Sequence, residues 1–453
     1  MRSDRVRLWR DRLLRFAAGA GGTAILAAGG VLRNKWLAMH LEAAGIGVVA
    51  QIAAGQAWLG ALVGLGLGLP VTRAIGAAFA ARDEERSRRV VWSALLLVGL
   101  AAIPTAALGA LFAAPISLAL LGTPAHAGLV RISMLGVVGT GAFWIVQAMC
   151  AGRSDVRSPL AFAAGATVVA TLVTFSLVPR FGLFGAVFGA TLLYPAGVAA
   201  MFAVHRRTHR GAFTPHPRPL FDRAEAKALL SVSGAALLLP LVDQGTLLAL
   251  RAHYLRVNGI AANGLLQAAL ALSQQVGSVF YAYLASYAFG KISGTGGSEG
   301  IQAYTRRQWP PLIGLAALAV AVAMIGASPL LHLLYSSRFD AARPMMAATL
   351  LGEFGRVCLQ SAAIGSLPLG GARLWAAIGL TQPLSLAGAY AILARAGTGT
   401  MSLPRAYAAA GAVTFVVALV LMARSGVSLR RRDLALAAAA YAALAVIAAL
   451  SGA

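Results

Sequence analysis

The chain has 453 residues, 59% of them apolar and only 11% charged, with a mean hydropathy of +0.77. A soluble domain carries about a quarter charged residues, so this composition excludes one and points to a membrane protein. The net charge of +24 does not signal a nucleic-acid partner, because the basic residues are dispersed in short loops between apolar runs.

The first fifteen residues carry Arg2, Arg5, Arg7, Arg10, Arg12 and Arg15, interleaved with Leu8, Trp9, Leu13 and Leu14. That pattern suits a basic amphipathic turn on the inner membrane face. Phe16–Leu32 reads as a first spanning helix, closed by Arg33 and Lys35. The next run, Leu41–Arg89, has no charge between Gly45 and Arg73 and holds Gln51 and Gln56 within it. Gly60, Gly64 and Gly68 recur every fourth position, a ridge that lets a second helix approach closely. Pro70 is expected to end this helix. The arginines that follow, Arg73, Arg82, Arg86, Arg88 and Arg89, form a basic loop of the kind retained in the cytoplasm.

Further spans are expected near Val91–Phe112, Leu129–Cys150, Leu160–Val178, Gly182–Val204, Leu229–Leu250, Ala261–Phe289, Trp309–Leu331, Met345–Leu369, Leu374–Leu393 and Tyr407–Met422, with a short extra one at Leu434–Leu450. The fold class is therefore an all-α polytopic membrane protein. Alternating these spans from a cytoplasmic N-terminus leaves 27 of the 38 Lys and Arg in inner loops, which supports that orientation. The longest polar stretch, His205–Lys227, divides the chain. Residues 1–208 are expected to form a six-helix lobe, 209–226 a cytoplasmic linker, 227–424 a second six-helix lobe and 425–453 an added helix. The segments GALFAAPISLALLGTPAHAGLVRISMLG and IGASPLLHLLYSSRFDAARPMMAATLLG stand at equivalent places in the two halves, as in transporters built from parallel repeats.

Ionisable residues at membrane depth are costly and mark candidate functional positions. Asp243 lies three residues past Pro240 with Gln244 beside it, and Glu353 and Arg356 share a helix face at i, i+3, where they can pair. Gln274 and Gln275 sit in the eighth span, and Arg251 and Arg256 close the seventh. Lys35 and Arg256 also fit the role of interfacial residues whose charges reach toward water, and Glu353–Arg356 fits a self-neutralising packing pair. The two cysteines, Cys150 and Cys358, stand in apolar segments and read as packing thiols without a metal framework. Lys35, Lys227 and Lys291 are followed by Trp, Ala and Ile, so no Walker A loop is present. His-Glu-x-x-His does not occur, and the outer loops are short. No enzyme and no cofactor are expected.

Several of these segments together resemble one family. Leu41–Glu85, with its Ala-Gly-x-Gly turn, Gln51 and GLGLPVTRAIGAAFA, is similar to the second-helix region of Wzx-type O-antigen translocases. These belong to the multidrug/oligosaccharidyl-lipid/polysaccharide flippase superfamily. LQAALALSQQVGSVFYAYLASY and LLHLLYSSRFDAARPMMAATLLGEFGRVCLQSAAIGSLPLGGARLW resemble its C-terminal half, and the likeness spans about residues 20 to 420. Tyr287-Ala-Phe-Gly and the added helix at Leu434–Leu450 depart from the family pattern.

The resemblance implies two six-helix lobes around a central cavity in the bacterial inner membrane. It further implies export of a polyprenyl-diphosphate-linked oligosaccharide by alternating access, with membrane lipid, glycan polymerase and export machinery as partners. Arginine forks suit a diphosphate, which makes Arg33, Arg251 and Arg356 the candidate anion ligands. Gln51, Gln274 and Gln275 are candidate substrate contacts, with Asp243 and Glu353 as coupling residues. Moving one negative charge outward gains about 2.3 kcal/mol per 100 mV, enough to dispense with ATP. An ion-coupled drug or cation exporter of the same superfamily, and a non-transporting scaffold for glycan assembly, are the alternatives.

Overall fold

The computed structural model describes residues 2–153, 155, 157–208, 221–284, 298–424 and 431–451. Side chains are described for these except 2–21, 23, 24, 235, 298, 364–373, 375, 424 and 431. The N-terminal arginine side chains, most of the 209–226 linker and Tyr287-Ala-Phe-Gly therefore lie outside the described residues.

Every regular element among the described residues is helical, as composition leads one to expect. In chain order they are α1 (Arg2–Val63), α2 (Gly68–Ala80), α3 (Glu84–Leu111), α4 (Ala113–Leu121), α5 (Ala127–Gly152), α6 (Arg157–Phe181) and α7 (Leu183–Thr208). There follow α8 (Arg223–Asn258), α9 (Ile260–Tyr283), α10 (Ser298–Ile325), α11 (Ala327–Leu334), α12 (Arg343–Arg395), α13 (Ser402–Arg424) and α14 (Arg431–Ser451). Nine helices in the described residues are long and apolar enough to cross a membrane. A tenth candidate, α8, is bent by 48° between Gly234 and Ala236. That bend lies one turn before Pro240, where a proline's ring clashes with the i−4 carbonyl.

Twelve spans and an extra were expected, and the differences have local causes. The first two expected spans meet within Arg2–Val63 at Glu42, whose non-helical backbone (φ 55°, ψ −170°) kinks the chain between two helices. The expected eighth span, on α9, is not among the nine; its stretch holds Asn263, Gln267, Ser273, Gln274 and Gln275. The extra C-terminal segment is a full-length candidate, Arg432–Ser451. Leu111, Ile325 and Leu450 are more than 70% exposed, a placement that suits lipid and not water.

The glycine ridge corrects another expectation. Its helix ends at Val63, not at Pro70, because Leu65 (φ 52°) and Gly66 (φ 65°) turn the chain left-handed. Pro70 instead occupies the first turn of α2, where its missing N–H costs nothing. A Cβ on Gly66 would sit 2.5 Å from the Ser233 carbonyl oxygen, so only glycine lets this turn meet α8. Gln56, Gly60 and Gly64 do form a ridge. They lie against Gly136, Thr140 and Trp144 of α5, each step matched at four-residue spacing on both helices.

Contacts divide the chain into two compact units. The first is Met1–Leu41 with Val48–Gly245, and the second is Glu42–Gly47 with Thr246–Ala453. The division falls inside α8, and the short segment after the α1 interruption belongs to the second unit. In the first unit Val63, Leu67, Val71 and Ile75 continue one buried row across the helix break, packed with Val137, Ile145 and Met149. In the second, Gly352 and Gly355 of α12 meet Gly411 of α13 so closely that a Cβ on Gly355 would lie 2.0 Å from the Gly411 oxygen. Tyr441 of α14 stacks on Phe415 at 4.6 Å. The related segments of the two halves fold alike. The short helices α4 and α11 each follow a long helix, and each is followed by a 3-10 turn, Pro124–His126 or Ser337–Ala342, before the next long helix.

One end of the first unit carries a dense polar network. The buried Arg153 guanidinium donates to Glu84 Oε2 at 2.7 Å and to Ser87 Oγ at 2.8 Å. Arg86 meets Glu225 at 2.8 Å, and the Asp222 amide donates to Ser93 Oγ at 2.9 Å, which ties the start of α8 to α3. Asp155 caps α6 by accepting from the backbone N–H groups of Arg157 and Ser158. Burial alone would raise its carboxyl, but hydrogen bonds from Ser158, His205 and the backbone outweigh this and hold it below the ordinary carboxylate value.

Candidate functional site

The candidate residues fall into separate clusters, some in each unit. In the second unit, Arg251 is 5% exposed and donates through Nε to Asn263 Oδ1 at 3.3 Å. The Asn263 amide in turn donates to the Gly47 carbonyl at 3.0 Å. This chain of contacts exists because two glycines let the backbones touch. A Cβ on Gly264 would lie 1.7 Å from the Ala43 oxygen, and one on Gly47 would lie 2.4 Å from the Ile260 oxygen. Arg251 Nη2 is buried and donates to no partner, and no carboxylate among the described residues is within ion-pair distance of Arg251. Arg251 was expected to close its helix; it stands about two turns before the end of α8, and Arg33 likewise stands about two turns before Glu42.

A second cluster surrounds Glu353, which is buried. Its carboxylate accepts from the Tyr281 hydroxyl at 2.7 Å and from the Tyr407 hydroxyl at 2.9 Å. Arg356 lies 5.9 Å from the Tyr281 ring centroid and is hydrogen-bonded to the Tyr407 hydroxyl. Gly277 makes room for the carboxylate, since a Cβ there would sit 2.1 Å from Glu353 Oε1. Gln274 and Gln275 lie on an exposed face of α9, while neighbouring Ser273 is buried 2.7 Å from Thr349 Oγ1.

In the first unit Gln51 is fully buried and Arg33 half-buried, with Arg33 Nη1 lacking a hydrogen-bond partner. Asp243 is half-buried near a cavity of about 200 Å³ lined by Gly64, Gly66, Trp144, Leu237, Pro240 and Gln244, among others. The ridge turn and the proline bend thus enclose the same space. Trp58 fixes that junction by donating from Nε1 to the Leu241 carbonyl at 3.0 Å, over Gly245.

No family model matches the chain, and neither does any curated protein sequence. Solved structures do. The lipid II flippase MurJ in an inward closed conformation superposes with a TM-score of 0.71, at 11% identity over 97% of both chains. An inward-facing multidrug resistance MATE family transporter of the MOP superfamily gives 0.64, at 14% identity over 95% of both. The eukaryotic MATE transporter AtDTX14 gives 0.56, at 12% identity over 94% of this chain and 97% of its own.

The fold is that of the MOP-superfamily transporters. At these identities the likeness speaks for the fold alone. The structures that share this fold are a transporter and a flippase.

Asn263, Tyr281, Tyr407 and Trp58 were missed in the sequence. Asn263 had a signal, a polar side chain inside an apolar run, but Asn-Gly reads more readily as a turn. The tyrosines had none, because their carboxylate partner lies 72 and 54 positions away.

Proposed function

We propose that the protein is a flippase that moves a polyprenyl-diphosphate-linked oligosaccharide across the bacterial inner membrane by alternating access, without ATP. Arg33, Arg251 and Arg356 serve as ligands of the diphosphate, Gln51, Gln274 and Gln275 as sugar contacts, and Asp243 and Glu353 as coupling residues. The observation that carries this reading is Arg251, a buried guanidinium with no carboxylate partner among the described residues and one unpaired nitrogen. A buried cation costs several kcal/mol unless an anion compensates it, and a bidentate fork suits a phosphate oxygen pair. The fold shared with a lipid II flippase favours a lipid-linked anion as cargo. Membrane lipid, glycan polymerase and export machinery belong to the same reading as partners.

The test uses the purified protein in vesicles containing a fluorescent polyprenyl-diphosphate oligosaccharide, with an impermeant quencher outside. Flippase activity predicts protein-dependent loss of the protected fluorescence, absent with a lipid of the same tail that lacks the diphosphate. A static protected pool would refute transport and leave the scaffold reading. Glu353, a buried carboxylate held by two tyrosines, favours the second reading of ion-coupled cation export. Gradient-driven movement of an organic cation, with the lipid unmoved, would establish it.

A further inference from the structure

Cys150, at the end of α5, Asp155, before α6, and His205, at the end of α7, converge on one point in the polar end of the first unit. Their donor atoms all lie within 4.8 Å of one another, and the Cys150 and His205 side chains are fully buried. His205 Nδ1 is 2.8 Å from Asp155 Oδ2 and 3.7 Å from Cys150 Sγ. Both contacts use the same nitrogen. A relay from thiol to carboxylate through an imidazole needs its two opposite nitrogens, so this is not the geometry of an activated nucleophile. The two contacts instead draw on the single Nδ1 position, which a carboxylate oxygen and a sulfur both face.

A cation at the centre would engage all three donor atoms at once. We propose that Cys150, Asp155 and His205 form a binding site for a divalent metal ion of the zinc class. The donor set of thiolate, imidazole and carboxylate is the one such ions prefer. A tetrahedral zinc ion separates nitrogen from sulfur by roughly 3.6 Å and nitrogen from oxygen by roughly 3.4 Å. The first matches the 3.7 Å observed, and the second asks the 2.8 Å contact to open by a small turn of the carboxylate. Asp155 is already oriented for this. Oδ1 is held by the α6 amides, and Oδ2 faces the cluster, oriented by the Ser158 hydroxyl, which donates to it at 2.5 Å. The neighbouring cation, Arg153, is engaged by Glu84 at 2.7 Å and so does not face the site uncompensated. The thiol and imidazole protons leave to solvent, and the dication is neutralised by one thiolate and one carboxylate. The ion would clip together the ends of three helices.

Cobalt(II) reports the site directly, because a thiolate ligand adds a near-ultraviolet charge-transfer band. The full chain, purified in detergent without a polyhistidine tag, is titrated with Co(II) and then challenged with Zn(II). The expected result is one saturable Co(II) per chain with the thiolate band, displaced by Zn(II), together with a rise in thermal midpoint on Zn(II) addition. Cys150→Ser and His205→Gln should lose the band. Cys358→Ser should keep it, and as Cys150 is then the sole thiol, that variant assigns the ligand even if Cys150→Ser does not fold. Absence of the band from the wild type, or its loss in Cys358→Ser, overturns the site.

Discussion

Gly264 and Gly68 are the same residue type under opposite constraints. A Cβ on Gly264 would meet the Ala43 backbone oxygen at 1.7 Å, whereas one on Gly68 meets nothing within 4 Å. Gly264→Ala should therefore lower stability by about 2 kcal/mol or more, as overpacking against rigid backbone does, and Gly68→Ala should match the wild type. Thermal unfolding in detergent compares them. Around Glu353, Tyr407→Phe removes a hydrogen bond to a buried carboxylate and should cost about 1.5–3 kcal/mol. Arg356→Gln should fold, because two tyrosine hydroxyls still donate to the Glu353 carboxylate. If Arg356 binds diphosphate, that variant is expressed yet slow in the vesicle assay; undiminished flipping would remove Arg356 from the site. Arg33→Lys and Arg251→Lys should both impair flipping, since an ammonium keeps the charge but loses the fork. Full activity in both lysine variants would make them interfacial anchors instead.

Among the elements, the junction of α1, α2 and α8 separates two kinds of proline. Pro70 sits in the first turn of α2 and its N–H is not needed, so Pro70→Ala should change stability by no more than about 0.5 kcal/mol. Pro240 lies one turn past the 48° bend in α8. Trp58 holds that region by its bond to the Leu241 carbonyl, and Trp58→Phe should cost about 1 kcal/mol, read from the same unfolding curves. The apolar runs and the glycine spacing were legible here. The helix break was not, because a left-handed Leu65 contradicts its own propensity, and the turn it starts is fixed by Gly66 packing against α8.

For the whole molecule the testable quantity is orientation. The distribution of Lys and Arg predicts a cytoplasmic His205–Lys227 loop, so a reporter inserted there should give a cytoplasmic signal and one at Arg338 a periplasmic one. With Arg432–Ser451 long and apolar enough to span, a fusion after Ser451 should be periplasmic. A cytoplasmic signal there would make α14 a surface helix, and reversed signals throughout would overturn the orientation and the parallel arrangement of the halves.

Composition, the length of apolar runs and the placement of charges determined that this is an all-α protein of the membrane. The motifs that resemble flippases pointed to a fold that a lipid II flippase and a MATE transporter share. Those features are local, or sums of local terms, and need no knowledge of which helix meets which. Only the tertiary structure decided that Glu353 is held by tyrosines on two other helices, that Asn263 joins Arg251 to Gly47, and that Cys150 meets Asp155 and His205. In lipid, helix pairs are chosen by close steric fit and by interhelical hydrogen bonds, with little help from hydrophobic exclusion. Such fit is a property of two surfaces at once, and a single stretch of chain carries only one of them.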